Sequence, residues 1–151
     1  MIQVAIARKS YAWAIAVIGL ALSATSLFAQ ERQPCIGFSG PLTGPAAFGG
    51  EAIRMGAETA IDDINAKGGV LGKKLLLKMY DDAGQPPKGV DNVRRIALAD
   101  NCVAMLGGYH SGVQLAMRDP ISQIGIPYIG PGAAGTGIIE HENGKNEWSR
   151  K

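Results

Sequence analysis

Aromatic side chains are scarce in this chain, at 6% of 151 residues, and cysteine occurs only twice. Two cysteines exclude a disulfide-dense scaffold and a four-cysteine zinc site. Neither sign of charge is in excess. The formal balance is +2, and setting aside Arg8 and Lys9, which belong to an N-terminal targeting pattern, leaves thirteen basic residues against thirteen acidic ones. Such neutrality gives no electrostatic case for nucleic acid or for an anionic membrane. There is no long polar tract and no repeat of fixed period, and the length suits about one domain, which excludes a multidomain machine. What the chain does have is a hydrophobic share of 46% and 21 glycines, a composition that folds but is punctuated by turns.

The first 29 residues read as an export signal. Arg8-Lys9 is followed by an uncharged stretch whose densest apolar part, Ala12 to Leu22, is too short to cross a bilayer of about 30 Å as a helix. Ser23, Thr25 and Ser26 come next, then Leu27-Phe28-Ala29. A basic start, a short apolar middle and a small residue at the cut make up a secretory signal, with cleavage expected after Ala29. A retained anchor is the competing reading, and the serines and the threonine weigh against it. Cys35 lacks the small apolar residues that normally precede a lipidated cysteine. The mature chain is therefore expected to be exported and free of stable membrane insertion.

From residue 35 onward, short apolar runs alternate with amphipathic stretches, the pattern of an α/β domain with a parallel sheet. Strands are expected at Cys35 to Ser39, Leu75 to Tyr80, Val103 to Leu106 and Ile126 to Ile129. A helix from about Gly50 to Lys67 would bury Ile53, Ala57, Ala60, Ile61 and Ile64, with Gly68-Gly69 ending it. Pro86-Pro87 suits the start of a second helix that buries Val90, Val93, Ile96 and Ala97. Ser111 can cap a third carrying Val113, Ala116 and Met117, which Pro120 should kink or break. The fold class is thus three-layer α/β, a parallel sheet of about four strands with helices on both faces. Right-handed crossovers gather every strand-to-helix loop at the carboxyl edge, where sheets of this kind bind small ligands.

Gly107-Gly108-Tyr109-His110-Ser111-Gly112 runs from a strand into a helix at that edge. The amides of a helix N-terminus favour an anion, and a carboxylate would fit against Ser111 and the N–H groups after it, Gly112 first. On spacing alone, a serine that merely caps its own helix is the better account. Gly130-Pro131-Gly132-Ala133-Ala134-Gly135 spells G-x-G-x-x-G, but Thr136 to Glu147 lacks the amphipathic helix that must follow, so the match reads as coincidence. A Walker loop is absent. Asp81-Asp82 could suggest a metal or phosphoryl site, yet turn formation explains the pair without a ligand. His110 stands next to Ser111 and makes a poor base, and the G-x-S-x-G elbow is missing, so no catalytic residues and no cofactor are expected. Cys35 and Cys102 each precede a strand at the opposite edge. If those strands are neighbours, the two thiols could approach within bridging distance in an oxidising compartment, and two buried, unbridged thiols are the equal alternative.

These motifs together resemble the leucine/isoleucine/valine-binding proteins, substrate-binding subunits of ABC importers with the type I periplasmic-binding fold. The stretches that carry the resemblance are Gly40-Pro41-Leu42-Thr43-Gly44-Pro45, Asp63 to Gly72, Tyr80-Asp81-Asp82-Ala83, and Gly125-Ile126-Pro127-Tyr128-Ile129 with Pro131. The resemblance implies a periplasmic protein that captures an amino acid or small carboxylate and delivers it to an inner-membrane ABC permease. It implies that Ser111 holds the ligand carboxylate, that Tyr109 and His110 line the pocket beside it, and that Gly132 offers a backbone contact. Ala134 falls where the family often has a carboxylate-binding threonine. Phe48 adjoins a position, here Gly49, that carries an aromatic wall in some members, and Gly84 and His110 fall where some members pair two cysteines. Receptors of this family have two lobes. Residues 30–148 are accordingly read as part of a first lobe, and 149–151 as a truncated tail. A fragment that binds nothing, or an interaction module lacking its second lobe, is the alternative.

Overall fold

A computed structural model of the chain describes residues 32–135. The expected signal at 1–29, its cleavage point, and the segment from Thr136 to Lys151 lie outside the described residues. Within them, β1 (Cys35–Gly40), β2 (Leu76–Asp81), β3 (Ala104–Gly107) and β4 (Tyr128–Ile129) form one parallel sheet in the order β2-β1-β3-β4. Helices α1 (Ala47–Ala66), α2 (Pro86–Arg94) and α3 (Ser111–Ile124) connect them. The chain steps from β1 outward to β2, then back across β1 to β3 and on to β4. Right-handed crossovers in opposite directions place α1 on one face and α2 and α3 on the other. The three-layer α/β reading holds.

Alternation along the strands decides what each face buries. Cys35 and Met105 point toward α2 and α3, where they meet Val93, Ile96, Val113, Met117, Ile121 and Ile126 in one apolar core. Ile96 packs so closely on β1 that a Cβ at Gly37 would fall 2.1 Å from its Cγ2. Phe38 points to the α1 face and is fully buried. That face is less completely covered. Ile61 of α1 is buried, whereas Ala60 and Ile64, expected in the buried stripe, are exposed. The end of α1 is tied down by polar contacts instead: the Asn65 side-chain amide donates to the Leu75 carbonyl at 2.9 Å and accepts from the Leu75 N–H at 2.7 Å.

Three local departures from the periodicity have physical causes. The last turn of α2 widens into a π-helical turn, Arg95–Ala99, closed by the Asp100 N–H on the Arg95 carbonyl at 2.9 Å. One extra residue in a turn shifts the buried stripe without leaving a compositional mark. Pro120 does not break α3, which continues to Ile124 with Met117 and Ile121 buried on either side of it. Packing of that inner face offsets the one missing backbone bond. Strand β4 is only two residues long because Pro127 before it has no N–H to give; its carbonyl still accepts from Met105 at 2.9 Å.

Cys35, the first residue of β1, and Cys102, just ahead of the neighbouring β3, form a disulfide with Cα atoms 4.6 Å apart across 67 residues of sequence. Closing so long a loop removes unfolded-state entropy worth about 4 kcal/mol in the chain-entropy account. Replacing both cysteines by serine, or reducing the bond, is therefore expected to lower unfolding free energy by roughly 2–4 kcal/mol. Urea titration with and without a reductant reads this, and coincident curves would refute it.

Candidate functional site

The carboxyl edge of the sheet is organised by Ser39, the penultimate residue of β1, which is completely buried. Its hydroxyl donates to the Asp82 carboxylate at 3.3 Å and accepts from the Asn92 amide at 3.0 Å, while its carbonyl accepts from the Gly108 N–H at 2.8 Å. Two loops and helix α2 converge on this one residue. The backbones approach so closely that a Cβ at Gly107, where φ is +132°, would lie 1.9 Å from the Ser39 oxygen. Ser39 was missed in the sequence reading. Its only signal is a hydroxyl in an otherwise apolar strand.

Asp81 and Asp82 divide the work of the next loop. One Asp81 oxygen accepts from the N–H groups of Leu42 at 2.8 Å, Thr43 at 3.3 Å and Ala83 at 2.8 Å, and the other accepts from the Thr43 hydroxyl. Burial would raise this carboxyl, but those four hydrogen bonds hold it below the usual range. Asp82, 1% exposed, accepts from the Gly84 N–H at 2.8 Å. Burial pushes its carboxyl up, against the opposing pull of Gly84, Ser39 and the charge of His110, with Asp81 adding to the rise. The pair thus makes turns and pins the β1–α1 loop. No group of three or more metal-ligating side chains occurs among the described residues.

The β3–α3 loop brings the expected site residues to this edge. His110, extended at ψ 126°, precedes the first turn of α3 and contributes no side-chain cap. Ser111 is the first helical residue, not the cap, and is exposed. Among the described residues its hydroxyl has no hydrogen-bond partner. The capping role expected from spacing is therefore corrected. The N–H groups of Ser111, Gly112 and Val113 have no intrahelical acceptor, as in any first turn.

Around this turn the structure gathers Tyr109, His110, Phe48 and Gly132. The Phe48 and Tyr109 rings meet edge to face at 5.7 Å, and Tyr109 and His110 at 5.5 Å. A Cβ at Gly132 would lie 3.0 Å from the Gly108 carbonyl and 3.3 Å from Tyr109 Cα, so the loop after β4 leans on the loop after β3. Ala134 is exposed farther along that loop, with no side-chain polar atom to offer. Gly84 and His110, where a second disulfide would sit in some members, are in contact: a Cβ at Gly84 would be 2.9 Å from the imidazole. Sequence reasoning also missed Gln114, one turn into α3 and 5% exposed, whose amide lodges against Gly108 and Gly130. Its Oε1 finds no donor among the described residues.

A parallel sheet with its glycine-rich loops and an open helix N-terminus at one edge can be compared with known proteins. The family model described as periplasmic binding protein matches residues 35–147. The chain belongs to that family. Among curated relatives, the Leu/Ile/Val-binding protein BraC3 of Rhizobium johnstonii is 40% identical over 98 residues, covering 65% of this chain and 26% of that protein. Leu/Ile/Val-binding protein homolog 3 of Brucella melitensis is 38% identical over 118 residues, covering 77% and 32%. The solved structure of the branched-chain amino acid transporter substrate binding protein LivJ from Streptococcus pneumoniae, in complex with isoleucine, superposes with a TM-score of 0.68 at 28% identity, covering 72% of this chain and 31% of that one. A periplasmic binding protein type 1 from Bordetella pertussis gives 0.67 at 35% identity, covering 72% and 29%. The chain thus spans about a third or less of the length of these proteins.

The raised carboxyl of Asp82 has a measurable consequence. The folded chain holds that proton more tightly than the unfolded chain does, so this group's contribution to stability falls as pH rises from the ordinary aspartate range through the raised value. Asp82→Asn keeps an acceptor for Gly84 and removes the titration. Urea midpoints between about pH 3 and about pH 7 should show the variant gaining on the parent as pH rises. A constant difference across that range would contradict the assignment.

Proposed function

We propose that this chain supplies the carboxylate-gripping rim of a periplasmic receptor that captures an amino acid or a related small carboxylate for an inner-membrane ABC permease. The observation that carries the reading is Ser111, exposed at the start of α3, with its hydroxyl uncommitted among the described residues and unpaired amides beside it. A helix N-terminus adds the favourable end of its dipole to those donors. Tyr109 and His110 flank the rim, Phe48 stands across from Tyr109, and Gly132 brings backbone from the loop after β4. Two curated relatives carry Leu/Ile/Val-binding names, and the pneumococcal structure holds isoleucine, which supports the amino-acid class.

The same reading assigns residues 1–29 to an export signal and the remainder to a first lobe working outside the cytoplasm. No helix among the described residues is long and apolar enough to cross a membrane. The chemistry is binding, with no proton transfer or covalent step. Ser39, Asp81 and Asp82 hold the loops, and none of them is exposed to act on a ligand.

Ser111→Ala tests the rim. A hydrogen bond to a charged group is worth roughly 1.5–3 kcal/mol, so calorimetric titration with L-leucine and small carboxylates should show affinity falling about 10- to 100-fold. The melting temperature should not move, because the hydroxyl does not cap the helix. Unchanged affinity would remove Ser111 from the site, and no heat with any acid on the parent chain would favour the fragment that binds nothing.

A further inference from the structure

We propose that Gln114 and Tyr128 hold one buried water molecule over Gly108, and that this water locks the loop after β4 onto the loop after β3. No acid needs to bind for such a site to exist, so it stands or falls apart from the proposed rim.

Gln114 lies in the first turns of α3 and is 5% exposed. Its amide fills the notch left by a missing side chain, since a Cβ at Gly130 would fall 1.9 Å from Nε2. Its Oε1 is buried and has no donor among the described residues. An unpaired buried acceptor lowers the folded-to-unfolded ratio roughly 5- to 150-fold, so a chain that keeps one has reason to supply a donor.

The Tyr128 hydroxyl faces the same glycine. It donates its proton to the Gly107 carbonyl at 2.8 Å. Burial, with the charge of Asp82 adding to it, pushes the hydroxyl's pKa up, so that proton stays in place. What the hydroxyl oxygen still offers is a lone pair. A Cβ at Gly108 would lie 2.6 Å from this oxygen and 3.1 Å from Gln114 Oε1. Two acceptors thus flank one glycine, and neither can donate to the other. The group that completes them must bring two hydrogens and be small, because the room is what one absent side chain leaves. Water meets both conditions, with one O–H directed to Oε1 and the other to the tyrosine oxygen.

Such a bridge joins three elements: Gln114 belongs to α3, Tyr128 to β4 and Gly108 to the loop between β3 and α3. A water-mediated contact is nearly as good as a direct hydrogen bond. It would fix the point where the chain leaves β4, and with it Gly132, which leans on the Gly108 carbonyl.

Water-selective NOE spectroscopy on the isotope-labelled chain reads the site without any substitution. Long-lived cross-peaks are expected from water to the Gln114 side-chain amide and the Gly108 α-protons, and their absence overturns the proposal. Gln114→Met keeps the length of the side chain and removes the acceptor. With water bound, the variant's folding equilibrium constant should fall about 5- to 30-fold, and the Gly130 and Gly132 amides should exchange faster. A dry, unpaired oxygen gives the opposite sign, because removing it relieves a cost; an unchanged or higher constant therefore overturns the site. Tyr128→Phe separates a shared water from lost packing. Its cost in the Gln114→Met background should be roughly 2-fold or more smaller than in the parent, since the water is already gone. Equal costs in the two backgrounds contradict a shared water.

Discussion

Everything at the carboxyl edge of the sheet depends on how closely β3 can approach β1 there. The Ser39 carbonyl takes the Gly108 N–H at 2.8 Å, and that approach is possible only because Gly107 has no side chain to meet it. The same serine holds the acid that turns the chain after β2 and the amide that anchors α2. A buried hydroxyl with both its donor and its acceptor capacity used is rigid, and a rigid hub lets loops full of glycine keep a fixed shape. The disulfide at the amino ends of the same two strands performs the matching task at the other edge.

From that constraint the distribution of roles follows. Groups buried at the edge hold loops, and groups exposed at the edge form the proposed rim. Asp81 and Asp82 belong to the first kind, and the opposite displacement of their carboxyls records it: four donors around Asp81 outweigh its burial, whereas the burial of Asp82 outweighs its two. Ser111 and Phe48 are exposed, and Tyr109 beside them is half-buried. Gln114 stands between, buried and without a donor for its Oε1 among the described residues, wedged where the loops after β3 and β4 meet. A donor reaching it would relieve a cost of about 1–3 kcal/mol.

Much of the fold was legible because its signals are local. Four apolar runs and three amphipathic stretches mark the strands and helices, Pro86-Pro87 opens α2, and Gly68-Gly69 ends α1 with both residues at positive φ. Crossover handedness then orders the layers without further information. The misses are equally instructive. A π-helical turn adds one residue that periodicity cannot register, and Pro120 is tolerated because packing of Met117 and Ile121 decides the matter, not the single lost bond. Pairing of Cys35 with Cys102 requires knowing that β1 and β3 are neighbours, which is a tertiary fact. Tyr109, His110, Ser111, Phe48 and Gly132 could be placed at one edge from the sequence, the last two through family resemblance. That Ser111 does not cap its helix, and that Ser39 joins the loops, depend on backbone geometry no spacing encodes.

The central claim is that an acid's negative end rests on the open amides at the start of α3. Amide-resolved NMR during titration with a small carboxylate measures this most directly. The account expects the largest shifts at Ser111, Gly112 and Val113, with smaller ones at Tyr109 and Gly132, and none when the matching primary amide replaces the acid. Shifts confined to the β2 side of the sheet, or equal responses to the acid and its amide, would contradict it.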